Sequence, residues 1–273
     1  MSKPAIGRDT RLCMSLSARP GNFGSRFHNH LYESLGLDYV YKAFSTKDLA
    51  AAIGGIRALN IRGCAISMPF KEACIALIDE LTPSASAIES VNTIVNDDGH
   101  LRGYNTDYIA IAKLIASHAI SPQSRFALRG SGGMAKAVAA AFRDAGFEHG
   151  VIVARNEPAG RSLAAVCGYR WQPQLGDLRP LLLVNVTPVG MAGGAESADL
   201  AFAEEAIDAA EIAFDVVAIP SETPLIRAAR ARGKRVITGH DVIVLQALEQ
   251  FVLYTGMRPS EAQVRAAAAF AGG

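Results

Sequence analysis

Short apolar runs alternate with longer amphipathic ones along nearly all of the 273 residues. RLCMSLS (11–17), DYVYKAFS (38–45) and RGCAIS (62–67) are rich in β-branched, aromatic or small apolar residues and predict strands. Between them, NFGSRFHNHLYESLG (22–36) and TKDLAAAIGGIRALN (46–60) place apolar residues at helical spacing, the first closing at Gly36 and the second capped by Thr46. In GCAISMPFKEACIALIDEL (63–81) a helix is expected after the Met-Pro-Phe corner, with Lys71 in its opening turn. SVNTIVNDDGHLRGYNTD (90–107) carries two extended pieces around Asp97-Asp98-Gly99, a hairpin signal. A helix is expected over 107–118, then the polar run SPQS (121–124), then a second strand series in RFALRG, GVIVARN, LLLVNVT, IAFDVVAIP and KRVITG. After Gly239 the pattern is helical, in DVIVLQALEQFVLYTG and SEAQVRAAAAFA. No repeat and no low-complexity tract interrupts it.

Strands separated by helical segments imply parallel sheets with helices on their faces, an α/β class. The run SPQS marks the junction in composition. The expected division is drawn at the start of the helix before it: 1–106 with 240–273 as a split substrate-binding catalytic domain, and 107–239 as an inserted dinucleotide-binding domain. The closing helices have no strand after them, so they are expected to pack back on the first domain, with a cleft between the two.

Composition narrows the function classes. Half the residues are hydrophobic, enough for a large core, and 27 basic against 26 acidic side chains leave a net charge of +1. That balance argues against a nucleic-acid surface or a polybasic membrane anchor. No apolar run approaches the roughly 18 residues of a membrane span. MSKPAIGRDT at the N-terminus lacks an apolar signal core, so a cytoplasmic protein is expected. Cys13, Cys64, Cys74 and Cys167 form no CxxC pair and read as buried, reduced thiols. The six histidines show no ligand spacing, so no metal is expected.

RFALRGSGGMAKAVAAAF (125–142) runs strand, glycine turn, helix. Gly130, Gly132 and Ala135 fit G-x-G-x-x-G/A: the first glycine permits the tight turn, the second lets a pyrophosphate approach the backbone, and the small third residue lets helix and strand pack closely. Gly133 adds another residue without a side chain, at a helix N-terminus whose N–H groups attract phosphate. The following strand ends in Ala154-Arg155-Asn156, where NAD-specific folds carry a carboxylate for the ribose 2′-hydroxyl. A guanidinium there pairs with a 2′-phosphate, so NADP is expected over NAD.

Four polar clusters fall at strand ends or helix entries: Ser15 and Ser17; Ser67 and Lys71; Asn92 and Thr93; Asn105-Thr106-Asp107. Each has a local alternative, a strand-end hydroxyl, a helix cap or a solvent-facing lysine. Taken together beside a nucleotide domain, they suit a small polyhydroxylated acid bound at the carboxyl ends of the strands.

Set in order along the chain, these motifs resemble the shikimate dehydrogenases, and most closely their divergent shikimate dehydrogenase-like subgroup. The likeness covers essentially the whole length. The family pattern of S-x-S, [ST]-x-P-x-K, V-N-T and N-T-D is met by Ser15/Ser17, Ser67 to Lys71, Val91-Asn92-Thr93 and Asn105-Thr106-Asp107. Gly130-Ser131-Gly132-Gly133, NVTPVGM (185–191), Asp215, Pro220 and Gln246 fit as well. The resemblance implies a split substrate domain with an inserted Rossmann-type NADP domain, and reversible reduction of 3-dehydroshikimate to shikimate, a step toward chorismate and the aromatic amino acids. It makes Lys71 and Asp107 the catalytic pair, and Ser15, Ser17, Ser67, Asn92 and Gln246 substrate contacts. Cofactor contacts would be Gly130, Ser131, Gly132, Gly133, Met134, Ala154, Arg155, Asn156, Thr187 and Gly239. The protein is expected to act as a monomer or homodimer on a small molecule. The chain departs from the pattern at Ala18 (Pro), Ala65 (Asn), Ala218 (Tyr) and Asp241 (Gly), which bears on substrate identity rather than reaction type. Three other readings stay open: a dehydrogenase of quinate or an aminated shikimate analogue, an NADP-binding module with residual activity, and the tetrahydrofolate dehydrogenase type. The S-x-S and N-T-D set favours a small acid over a pterin.

Overall fold

A computed structural model describes residues 3–272. The chain forms two compact units, one of residues 1–106 with 244–273 and the other of 107–243. SPQS is therefore a turn inside the second unit rather than a junction. The mixture of strand and helix is the α/β class read from the sequence.

In the first unit, β1 (Arg11–Leu16), β2 (Tyr39–Phe44) and β3 (Gly63–Ile66) pair in parallel, with β1 in the middle. The hairpin β5 (Thr93–Asp97) and β6 (His100–Tyr104) then joins antiparallel to β3 through β5, so this sheet is mixed. Asp98 and Gly99 make the turn with φ of 52° and 94°, the left-handed pair that a two-residue hairpin requires. A two-residue β4 (Glu80–Leu81), too short for any periodicity to reveal, completes the order β2-β1-β3-β5-β6-β4.

Alternation along β1 sends Cys13 to one face and Met14 to the other. The Cys13 face packs on α1 (Phe23–Ser34), α10 (Gly239–Thr255) and α11 (Glu261–Gly272) through Phe27, Leu31, Tyr32, Phe251 and Tyr254. The Met14 face packs on α2 (Leu49–Ala58) through Ile53 and Ile56. Each such fully buried side chain contributes about 1.5–3 kcal/mol. Two local expectations are corrected. The cap of α2 is Asp48, whose carboxylate accepts from Ala51 N at 2.9 Å, while Thr46 bonds Asp48 instead. The helix expected after the Met-Pro-Phe corner is a single turn, α3 (Phe70–Ala73), followed by a 3-10 turn at Ile75–Leu77. The backbone then enters β4 and a second single turn, α4 (Pro83–Ser86), so the apolar side chains of this stretch serve a short packed connection rather than a long amphipathic face.

The second unit is a fully parallel sheet of order β12-β11-β10-β7-β8-β9. Its strands are β7 (Phe126–Arg129), β8 (Gly150–Val153), β9 (Arg170–Gln172), β10 (Leu182–Asn185), β11 (Ile212–Asp215) and β12 (Arg235–Ile237). This is the Rossmann order, with the chain reversing direction of growth between β7 and β10. The three-residue β9 was not expected. Helices α5 (Thr106–Ser117), α6 (Gly133–Asp144), α7 (Glu157–Cys167), α8 (Glu204–Ala209) and α9 (Pro224–Ala231) connect or flank the strands. All four cysteines are unpaired and buried. Among the described residues no helix is long and apolar enough to cross a membrane.

Candidate active site

The mixed sheet explains why distant polar residues meet. β1 and β3 run in parallel, so Ser15–Ser17 and Ser67 leave from the same edge. Because β5 is antiparallel to β3, the start of β5 reaches that edge too: Thr93 is opposite Ala65 and, across the hairpin, opposite Tyr104. Backbone bonds lock the loops there, from Ser67 N to Leu16 O (2.9 Å), Ala18 N to Met68 O (3.2 Å), Ile66 N to Asn92 O (2.8 Å) and Val91 N to Lys71 O (2.9 Å). Lys71 is thus fixed to the residue before Asn92 by its own carbonyl. Its side chain is half-buried, Ser17 is buried and Ser67 is exposed.

Asn92 is the best-defined group at this edge and is 1% exposed. Its Oδ1 accepts from Thr106 N (2.7 Å), Thr106 Oγ1 (3.1 Å) and Thr93 Oγ1 (2.9 Å). Its Nδ2 is buried and has no hydrogen-bond partner among the described residues. An unsatisfied buried amide costs about 1–3 kcal/mol, so such a group in a folded protein calls for an explanation. Asn105 is tied to Ser84 and Ser90, donating its N–H to Ser84 Oγ (3.0 Å) and its side chain to Ser90 O (2.9 Å). Asp107 follows in the first turn of α5 and is buried. Gln246 is half-buried on α10, one turn before Gln250 on the same face. Gln250 was not singled out from the sequence. Its signal is a second glutamine four residues after Gln246, on the same face of the helix.

In the second unit a cleft of about 1210 Å³ opens at the switch point of the sheet, lined by Gly130, Ser131, Gly132, Ala154, Arg155, Asn156 and Thr187 among others. Gly130 has φ +130°, and a Cβ there would meet Val186 Cγ2 at 2.7 Å, so both conformation and space demand glycine. No atom lies within 4 Å of where a Cβ would stand on Gly132 or Gly133, which leaves the start of α6 open to a pyrophosphate. Met134 sits half-buried in that helix's first turn. The residues present therefore fit a dinucleotide.

Two of the expected cofactor residues also have local tasks. Asn156 caps α7 by accepting from Ala159 N at 3.1 Å. Thr187 Oγ1 donates to Asn185 Oδ1 at 2.6 Å, and Asn185 in turn donates to Asp215 Oδ1 at 3.0 Å. Asp215 also accepts from Val217 N and Thr223 Oγ1, so it joins the ends of β10 and β11 to the cap of α9. Burial pushes its pKa up to about 6, against those three hydrogen bonds. Arg155 is largely exposed and lies 3.6 Å from the Glu196 carboxylate, a partner the sequence did not reveal.

Gly239 and Asp241 are explained by α10. A Cβ on Gly239 would stand 2.2 Å from Val217 O, so the helix can start there only with glycine. Asp241 Oδ2 accepts from Thr238 N (2.9 Å) and Thr238 Oγ1 (2.7 Å), while Asp241 N donates back to Thr238 Oγ1 (3.3 Å). That reciprocal pair is a capping box. Among the described residues no cluster of His, Cys, Asp or Glu could hold a metal ion.

Known proteins share this fold. A sequence profile of the shikimate dehydrogenase substrate binding domain matches residues 23–94. The shikimate dehydrogenase-like protein of Haemophilus influenzae is 59% identical over 266 residues, covering 97% of this chain and 98% of that protein. The solved structure of a shikimate 5-dehydrogenase-like protein superposes with a TM-score of 0.98 at 59% identity, over 98% of this chain and 100% of the other. Thermus thermophilus shikimate 5-dehydrogenase, solved with NADP(H) and shikimate, superposes with a TM-score of 0.84 at 30% identity, over 96% and 99%.

Proposed function

The chain belongs to the shikimate dehydrogenase family, and from that premise we propose that it is an NADP-dependent oxidoreductase interconverting 3-dehydroshikimate and shikimate. In this reading the first unit holds the substrate and the second holds NADP. The observation that carries it is the buried, unpartnered Nδ2 of Asn92, on the sheet edge that also bears Ser15, Ser17, Ser67 and Lys71. A polar edge with a spare amide donor suits a ligand rich in acceptor oxygens. The Thermus relative, solved with NADP(H) and shikimate, supports the same assignment.

The glycine turn Gly130–Gly133 would hold the pyrophosphate of NADP and Arg155 its 2′-phosphate, and the bound nucleotide would supply the hydride acceptor. Lys71 takes the hydroxyl proton as the carbinol carbon is oxidised, and returns it as an ammonium in the reducing direction. The anchored carbonyl of Lys71 fixes the backbone from which its side chain leaves. Asp107 completes the catalytic pair by orienting the reacting hydroxyl. Ser15, Ser17, Ser67, Asn92 and Gln246 hold the carboxylate and the remaining hydroxyls.

The test is a substrate panel of shikimate, quinate and an aminated shikimate analogue, each with NADP and with NAD, followed by nicotinamide absorbance. Shikimate with NADP is expected to turn over best, and Lys71→Ala to lower kcat by about 10²–10⁴-fold with nucleotide affinity retained. Nucleotide binding without turnover on any member refutes the assignment. Quinate is in the panel because Ala65 stands where the family pattern carries an amide, in register with Ser15 and Thr93.

A further inference from the structure

We propose that Gln250 and Thr93 are positioning residues of the substrate site, acting through Asn92 to present its amide as a hydrogen-bond donor to the ligand. The proposal rests on the reading of Asn92 as a substrate contact.

A chain of hydrogen bonds with a defined direction leads to it. The backbone N–H of Thr106, 2.7 Å from the Asn92 side chain, can only donate, so the amide atom facing it must be the oxygen. That oxygen has two lone pairs and receives three donors, counting the Thr93 and Thr106 hydroxyls. It has nothing left for a ligand. Gln250 sets the direction of the next link: its Nε2 donates to Thr93 Oγ1 at 3.0 Å and leans on Asn92 O at 3.4 Å. Asn92 Oδ1 carries no hydrogen, so Thr93 is the donor in their 2.9 Å contact, the nearer of its two neighbours there, with the Thr106 hydroxyl at 3.3 Å. Polarity therefore runs one way, from Gln250 to Thr93 to Asn92, and ends on the unpartnered Nδ2.

Every member is buried. Thr93 is fully buried in a central strand, Gln250 is 5% exposed within the cluster of Phe251 and Tyr254, and Asn92 is 1% exposed. Burying a glutamine in such a cluster is costly unless its amide is used. The chemical consequence is a rule of recognition. The site offers donors at this point, so it takes a keto, hydroxyl or carboxylate oxygen. It rejects a ligand with an ammonium group in that place, which has three donors and no acceptor.

The test combines kinetics with a readout that needs no substrate. Gln250→Met and Thr93→Val keep the volume and remove the donor or the hydroxyl, while Thr93→Ser keeps the hydroxyl. With shikimate and NADP, the first two are expected to raise KM for shikimate about 3- to 10-fold, as for the loss of one net hydrogen bond. Their kcat and KM for NADP should stay within about twofold, and Thr93→Ser should restore KM. In an Asn92→Ala background, Gln250→Met should add nothing further, because the chain then leads nowhere. Equal rises with and without Asn92, or parallel losses in kcat and NADP affinity, overturn the proposal. NMR relaxation of the Asn92 side-chain amide gives the independent measure: rigid in the wild type, more mobile in Gln250→Met and Thr93→Val. Unchanged relaxation overturns positioning even if shikimate is turned over. Changed relaxation in a protein inactive on shikimate upholds positioning and removes only the assigned activity. Should Gln250→Met melt below assay temperature, the Thr93→Val and Thr93→Ser pair decides alone.

Discussion

His28 makes the first unit sensitive to acid, and the effect can be worked out from its surroundings. The ring is fully buried, stacked on Tyr41 at 4.5 Å and 7°, with Phe27, Phe251 and Tyr254 around it. Neither ring nitrogen has a hydrogen-bond partner among the described residues. Burial drives its pKa from 6.5 down to about 3, and the nearby Gln250 side chain opposes this only partly. Above pH 6.5 the ring is neutral in both states and adds nothing to the slope. Below it, the unfolded chain takes up a proton that the folded one refuses, so stability falls by about 1.4 kcal/mol per pH unit. The loss continues until pH approaches 3, roughly 5 kcal/mol in all. His28→Phe keeps an aromatic ring and removes the titration. Urea denaturation followed by tyrosine near-UV circular dichroism, between pH 6 and pH 4, should show the wild type losing about 3 kcal/mol more than the variant. The fluorescence of Trp171 serves as a control, since that residue is in the second unit. Packing changes caused by the larger ring shift both ends of the curve equally, so only the difference in slope matters. Parallel curves would refute the buried neutral imidazole.

Other expectations follow from single contacts. Arg155→Ala should raise KM for NADP much more than for NAD, and Glu196→Gln should do the reverse, tightening NADP up to about fivefold by freeing the guanidinium from an exposed ion pair. Titration with both nucleotides checks each. Asp215 has the opposite sign to His28: its raised pKa means that stability present below about pH 4 is lost as pH rises through 6. Asp215→Asn should flatten that fall in the Trp171 transition of the second unit, because an amide can still accept from Asn185 and donate to Thr223. Asp241→Ala should lower stability by about 1 kcal/mol through loss of the capping box, with KM for shikimate unchanged in steady-state assay.

The motifs proposed to form the site are legible in order along the chain. S-x-S, the proline-flanked lysine, V-N-T, N-T-D and the glycine turn are local signals, since each depends on a strand end or a helix start that short-range chemistry creates. Some of the departures proved local as well. Asp241 reads as an altered pocket residue in sequence, yet it bonds Thr238 three residues away. Periodicity failed at Thr46 and beyond Phe70, where one hydrogen bond or a two-residue strand outweighed the apolar pattern.

What the sequence by itself determined was the class of elements, the dinucleotide turn and the residue types available for chemistry, because backbone propensity and hydrophobic period act over a few residues. Only the tertiary structure decided what those residues face. The antiparallel entry of β5 carries Asn92 to the edge where Ser17 and Ser67 emerge. Gln250 reaches Thr93 across 157 residues of chain. Glu196 meets Arg155 from a loop that no motif marks. Hydrogen bonds and charges act through space over a few ångströms, and no pattern along the chain records which strand will lie beside which.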